Sequence, residues 1–407
     1  MSNFGLAVLV ARRLSSDAYG AFALAFSVYA YAVTISRLLV SQPLMICYSG
    51  SSRTEFARAA RQSTGAALGF ALPIGLVTLI AGIVGGGALG APLITTAVLL
   101  PGLFLQDAYR MVFFTMGRPA AAAANDAMWA VTQVAGVLIV NALGGGSAEA
   151  YLWAWGIAGC VAAVLGGVQA GLWPAPRETL RWLRRHTKLT RYSVTEVVFL
   201  NGANQLTLFL VAAIGGLSVV AALRGAQVLT APTTVLTLGT MAFVVPEMAR
   251  RPSLTGSRLI RAGLLISVPV ATLMLLWGSF LLLLPGSLGR LLLGDTWAGT
   301  HGILLPTVVG MVAGVASLGA SSGVYAKGGV KVLFPLMLLG APVYLVAGLV
   351  GVLTAGAYGT AVGLAVAAAY GSVVSWVRFT RVARDSALGA PAGAGGGLSP
   401  QPRPGDT

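Results

Sequence analysis

Acidic residues are scarce in this 407-residue chain, where 11 Asp and Glu stand against 26 Lys and Arg. Charged residues of both signs make up only 9% of it, far below the ~25% of soluble domains. Cysteine and histidine number two each. Cys47 and Cys160 fall inside apolar stretches, which argues against a disulfide framework. With only His186 and His301, and no C-x-x-C or H-E-x-x-H spacing, no metal site or cofactor is expected. Also missing is a G-x-x-x-x-G-K-S/T loop to cradle ATP phosphates. No polar run is long enough for a soluble domain, the longest being about 174–192. Any transport must then draw on an ion gradient, the membrane potential or the substrate gradient. A conventional enzyme is not expected, because the one long outer loop, 286–302, offers only Asp295, Arg290 and His301 and reads as a short interfacial helix.

What the chain does have is apolar length, with 57% hydrophobic residues. Apolar stretches run at roughly 1–11, 21–47, 65–85, 94–115, 120–143, 151–173, 193–215, 219–246, 262–285, 303–326, 332–354 and 360–377. Most reach the ~20 residues that carry a helix across a ~30 Å hydrocarbon layer. Twenty of the 26 basic residues fall in every second gap or in the tail, and the opposite gaps hold only Arg12, Arg13 and Arg290. The positive-inside bias puts both termini and the basic gaps in the cytoplasm of a multi-pass protein of the cytoplasmic membrane. The excess of +15 therefore reflects topology and anionic headgroups, with no nucleic-acid partner implied. The start lacks the pattern of a cleaved signal peptide. Its first stretch has only 11 residues before Arg12 and Arg13, so the first helix is short or truncated.

The basic gap in the middle divides the stretches into six and six, and the halves echo each other. Ser41-Gln42-Pro43-Leu44-Met45 ends the second stretch and Val244-Val245-Pro246-Glu247-Met248 the eighth. Leu99-Leu100-Pro101 opens the fourth, Leu304-Leu305-Pro306 the tenth. Six crossings per half make a parallel repeat with a cavity between halves. The expected fold is all-α: a polytopic membrane protein of about 12 transmembrane helices in two six-helix bundles around a central cavity. The divisions are 1–173 for the first bundle, 174–192 for a basic cytoplasmic linker, 193–385 for the second bundle and 386–407 for a disordered tail. Within the linker, Arg181, Trp182, Leu183, Arg184, Arg185 and Lys188 suit an amphipathic helix on the inner membrane surface.

Charges inside spans are costly and usually face a cavity or a partner. Asp107 and Arg110 lie three apart on one helix face, a spacing at which opposite charges neutralise each other. Asp107 is then either a structural counter-ion or a coupling carboxylate, and Glu196 is the second coupling candidate. Arg37 and Arg224 lie one in each half. Guanidinium groups hold phosphate oxygens in pairs and stay charged when desolvated, so Arg37, Arg110 and Arg224, with Gln106, Asn204 and Gln205, are the substrate-binding candidates. The bland reading is that Arg37 snorkels and Arg224 pairs with a helix carboxylate. Asp126 and Trp129 are expected near the cytoplasmic interface, Asp126 against Arg118.

Asn3–Val28 (NFGLAVLVARRLSSDAYGAFALAFSV) resembles the opening of bacterial polysaccharide-transporter proteins. Gln106–Pro119 (QDAYRMVFFTMGRP) with Asn125-Asp126, Asn204–Arg250 and Leu292–Trp297 (LLGDTW) resemble later parts of the same proteins. This is the oligosaccharide-flippase (Wzx-like) branch of the multidrug/oligosaccharidyl-lipid/polysaccharide exporter superfamily. The resemblance implies two bundles in a V, alternating access, and a polyprenyl-diphosphate-linked oligosaccharide as cargo. A proton or sodium ion is the coupling ion to be considered, and a glycan polymerase or glycosyltransferases the partners. The rival functions are an ion-coupled multidrug antiporter of the same superfamily and a non-transporting scaffold of a glycan-assembly complex. The short first helix departs from the family pattern and leaves coupling residues there without a counterpart.

Overall fold

The computed structural model describes residues 2–144, 146–251, 254–328 and 330–387. Its helices, in chain order, are α1 (Ser2–Arg13), α2 (Ser16–Ser36), a π-turn (Arg37–Ser41), α3 (Gln42–Tyr48), α4 (Arg53–Gly85), α5 (Gly87–Thr115), α6 (Pro119–Ala142) and α7 (Ala148–Ala170). There follow α8 (Thr179–Gly215), α9 (Leu217–Leu229), α10 (Ala231–Ala249), α11 (Gly256–Leu282), α12 (Gly286–Leu293), α13 (Thr296–Gly302), α14 (Leu304–Val315), α15 (Leu318–Gly328) and α16 (Val330–Ala387). No strand interrupts them among the described residues.

Local chemistry sets most boundaries. Ser15 caps α2 by accepting the Ala18 amide at 3.4 Å, and Ser52 caps α4 by accepting the Glu55 amide at 3.4 Å. Gly86, at φ +52°, turns α4 into α5, a conformation that L side chains rarely adopt. In α16 the helix breaks at Ala355 and Gly356 and doubles back, with the two limbs close enough that a Cβ on Gly363 would meet the Ala347 carbonyl oxygen at 2.0 Å. Among the described residues nine helices are long and apolar enough to cross a membrane, and α9 with α10, bent by 51°, makes a tenth. Counted with the limbs of α16 separate, the set reaches eleven, and α1 completes the twelve segments expected. At 12 residues, α1 covers about 18 Å, little over half the hydrocarbon layer.

Two boundaries differ from the sequence reading. The 193–215 segment has no break from the linker, because no glycine or proline lies between Thr179 and Asn201 and α8 runs on through both. The outer loop holds two short helices, α12 and α13, where one was expected.

Packing is uneven along the membrane normal. At the arginine-poor end, one apolar core joins Leu6, Val10 and Leu14 to Leu293, Trp297, Leu304 and Val308. There α2 crosses α9 so closely that a Cβ on Gly20 would sit 2.0 Å from the Leu217 carbonyl oxygen. Gly294, at φ +56°, lies against the main chain of Arg12. In α9 eight of 13 residues are buried, whereas in α10 only Val244 and Met248 are. The α10 stretch that leads to Arg250 and Arg251 is therefore less buried than the α9 stretch before it.

At the basic end the linker is docked. The Ala175 amide donates to the Arg61 carbonyl at 2.8 Å, and the Thr179 hydroxyl to the Gly65 carbonyl at 3.1 Å. Trp182 is buried, stacked on Tyr48 at 5.8 Å, with the His186 ring 4.2 Å away. His186 is buried with its Nδ1 2.9 Å from the Trp182 carbonyl, where the neutral ring donates. Burial holds its pKa below the ordinary 6.5, an effect opposed by the Trp182 hydrogen bond and aided by Arg185.

A side chain on Gly20 strikes backbone, which cannot rotate away. Gly20→Leu is expected to cost the ~1–3 kcal/mol of overpacking or more, seen as a lower thermal midpoint in detergent, while Gly5→Ala, with nothing within 4 Å of its new Cβ, leaves the midpoint unchanged. For His186 the undocked ring takes its proton first as pH falls, so docking is complete above 6.5 and weakens below it. Hydrogen exchange of 180–190, corrected for intrinsic rates, should rise on acidification in the parent chain and stay flat in His186→Leu.

Candidate transport cavity

A cavity of about 310 Å³ lies between the two sets of helices, about two turns along α2 from the Gly20 crossing. From α2 it is lined by Ser27, Tyr31 and Thr34, which recur at helical spacing on one face. Asn201, Asn204 and Gln205 of α8 face them. Arg224 and Gln227 of α9, with Tyr344 and Thr360 from the limbs of α16, complete the polar wall. Gln205 bridges the two sets, its Nε2 donating to the Ser27 hydroxyl at 2.5 Å. Ser27 in turn donates to the Leu24 carbonyl at 2.6 Å.

Arg224 is the cation of this wall. Its Nη1 donates to Gln227 Oε1 at 2.9 Å, and its Nε is buried without a hydrogen-bond partner. No carboxylate pairs with it among the described residues, so the expected pairing with a helix carboxylate is replaced by a neutral amide. A guanidinium in that state lines the cavity with no carboxylate to neutralise it among the described residues.

Arg37 and Arg110 are placed differently. Both converge on Asp107, whose side chain is 4% exposed. Arg37 holds it with two bonds, Nε to Oδ2 at 2.9 Å and Nη2 to Oδ1 at 2.7 Å. Arg110 Nη2 donates to the same Oδ1, and its Nη1 lies 3.8 Å from Asp126 Oδ2. Gln106 donates to Asp126 at 3.0 Å and Asn125 at 3.2 Å, and Asn125 anchors to the Ala162 carbonyl at 2.9 Å. Two arginines and two aspartates thus close a neutral knot across α2, α5 and α6. The π-turn that opens at Arg37 is the wider turn preceding Pro43, which cannot donate to the Leu39 carbonyl.

The structure corrects one expectation here: Asp126 pairs with Arg110, not with Arg118. Trp129 is buried in the core, donating to the Trp155 carbonyl at 3.1 Å, because helix rotation turns it toward α7. Glu196 lies on α8, and its side chain is outside the described residues. Of the residues singled out from sequence, Arg224, Asn204 and Gln205 come together at the cavity, and Arg37, Arg110, Asp107 and Gln106 in the knot. Sequence reasoning missed Ser27, Tyr31, Thr34, Gln227, Tyr344 and Thr360, which are neutral and carry only a faint periodic signal in α2. No group of three or more His, Cys, Asp or Glu is placed to hold a metal among the described residues.

No family model and no curated protein matches the chain. Solved structures do. An inward-facing multidrug resistance MATE family transporter of the MOP superfamily superposes with a TM-score of 0.70 at 15% identity, covering 95% of this chain and 94% of that one. The lipid II flippase MurJ, in an inward closed conformation, gives 0.69 at 12% identity, covering 95% and 88%. An outward-facing MATE family transporter gives 0.54 at 14% identity, covering 94% and 91%. The chain has the fold of these transporters.

Breaking the knot at its centre leaves two cations facing each other. Asp107→Ala is expected to cost ~3–5 kcal/mol in thermal or denaturant unfolding, the loss typical when one member of a buried pair is removed. The combination Arg37→Gln with Asp107→Asn, which removes one charge of each sign, should recover part of that loss. A fully stable Asp107→Ala protein would mean that the carboxylate is not the structural counter-ion.

Proposed function

We propose that the chain is a membrane transporter that moves a polyprenyl-diphosphate-linked oligosaccharide across the cytoplasmic membrane by alternating access. The observation that carries this reading is Arg224, a cation without a carboxylate partner in a polar cavity between two helix sets. A diphosphate would complete its hydrogen bonds, and one unit of opposite charge at about 4 Å is worth ~4 kcal/mol at an effective dielectric near 20. Asn201, Asn204, Gln205 and Gln227 offer neutral amides of the kind that hold sugar hydroxyls.

With the basic end at the cytoplasm, the splayed conformation is the loading state. The headgroup enters from the arginine-rich side, where Arg53, Arg58 and Arg61 line a second pocket with Glu178. Release then needs the α2–α9 crossing to part and the basic ends to close. Gln205, bonded across to Ser27, is a contact that such a rocking motion would break or remake. The lipid II flippase among the structural neighbours makes a lipid-linked cargo compatible with this fold.

The multidrug transporters of the same fold supply the competing reading. A cationic drug needs an available carboxylate, and Asp107 and Asp126 are occupied by Arg37 and Arg110. That favours an anionic cargo. It also leaves Asp107 as a coupling group only if Arg37 or Arg110 first lets go.

The test is a leaflet assay of labelled polyprenyl-diphosphate sugar in vesicles, with and without an imposed ion gradient. Arg224→Ala should slow flipping at least about tenfold, corresponding to ~1.4 kcal/mol, and Arg224→Lys should keep part of the rate. Wild-type flipping in Arg224→Ala would remove the basis of the proposal. Export of cationic dyes without movement of the lipid-linked sugar would assign the antiporter function instead.

A further inference from the structure

Beside the polar cavity runs a groove of about 560 Å³ whose lining is almost wholly apolar. Phe70, Pro73, Ile74, Val77 and Ala81 of α4 form one wall, and Val28, Leu93 and Phe209 face them. Its one hydroxyl on α4, that of Thr78, is turned back to the Ile74 carbonyl at 2.8 Å. The groove therefore presents methyl and ring surface with no free hydrogen-bonding group along α4. Two residues, Tyr31 and Gln205, line both the groove and the cavity. Each spends its polar group on the cavity side: Gln205 donates to Ser27, and the Tyr31 hydroxyl lies 3.4 Å from the Val198 carbonyl. Polar and apolar spaces thus meet at a threshold two side chains wide. On the outer side, Val77 is 67% exposed and Leu76 58%, so the groove is continuous with the membrane face of α4.

We infer that this groove holds the isoprenoid tail of the same carrier lipid whose diphosphate sits at Arg224. The inference rests on the flippase reading and adds the place of the tail to it. A long hydrocarbon chain cannot follow its headgroup into a wall of amides and guanidinium without desolvating them. It needs a lateral path that is apolar, open to the bilayer and joined to the cavity at one end. The groove between α4 and α8 meets all three conditions, and it opens between the two helix sets, where rocking leaves the tail in lipid throughout. The occupant is a single chain, the one tail of a carrier whose head lies beyond Tyr31 and Gln205, the two residues that line both spaces.

The experiment uses the full chain in vesicles. A polyprenyl-diphosphate sugar with a diazirine near the head of its tail should crosslink to residues 70–81 of α4 and to Phe209. A phosphatidylcholine with a diazirine in its acyl chain should label the outer faces of all helices without preference. Equal labelling of the groove by both probes, or crosslinks concentrated on α6, overturns the assignment. Val77→Trp and Ala81→Trp fill the groove from an exposed face, which spares the core. They should slow flipping of a long-tailed carrier about tenfold, as expected if part of the tail's apolar burial is lost, and spare a carrier with a tail of two isoprene units. Unchanged rates for the long tail, or equal loss for both lengths, overturn the groove while leaving flippase activity standing. If the parent chain flips neither carrier, the functional reading has failed, and the crosslink map alone decides where the tail binds.

Discussion

A charge inside a low-dielectric slab must find a partner, and this chain meets that requirement in two unlike ways. In its first half, Arg37 and Arg110 are neutralised by Asp107 and Asp126, which ties α2, α5 and α6 into one block. In its second half, Arg224 has an amide for a neighbour and a buried Nε left over. The first solution stabilises a wall. The second leaves a cation on a cavity wall with no carboxylate to balance it among the described residues.

Glycine does for the architecture what the arginines do for the site. Close approach of α2 and α9 at Gly20, and of the outer loop to α1 at Gly294, draws the arginine-poor ends together. Membrane helices have no water to expel from one another, so packing of this closeness supplies much of what holds them. No ion pair crosses this contact among the described residues.

Much of the architecture was legible because bilayer thickness imposes itself on sequence. Runs of about 20 apolar residues announce spans before any packing is known. The Asp107–Arg110 pair could also be read, being three apart on one helix. That Arg37 would join it could not, since 70 residues separate the partners and only the π-turn before Pro43 brings them together. The cavity was half legible. Arg224, Asn204 and Gln205 stand out as polar groups in apolar runs, whereas Ser27, Tyr344 and Thr360 are ordinary residues until three helices converge on them.

The two halves also place their irregular backbone differently, and each irregularity sits beside an arginine. Aligned on Pro43 and Pro246, Ser27 falls opposite Thr230, where the helix breaks by 51° between α9 and α10. Both hydroxyls donate back to a carbonyl of the preceding turn, Ser27 to Leu24 and Thr230 to Ala226. Only the second position bends. In the first half the disturbance is displaced to the π-turn at Arg37, deep in the ionic knot. The bend lies beside Gln227 and Arg224, and α10 beyond it is held by few buried residues. The turn at Arg37 is held by the Asp107 carboxylate and has no such freedom. The wall at Arg37 is thus tied by ion pairs, and the one at Thr230 is bent without them among the described residues.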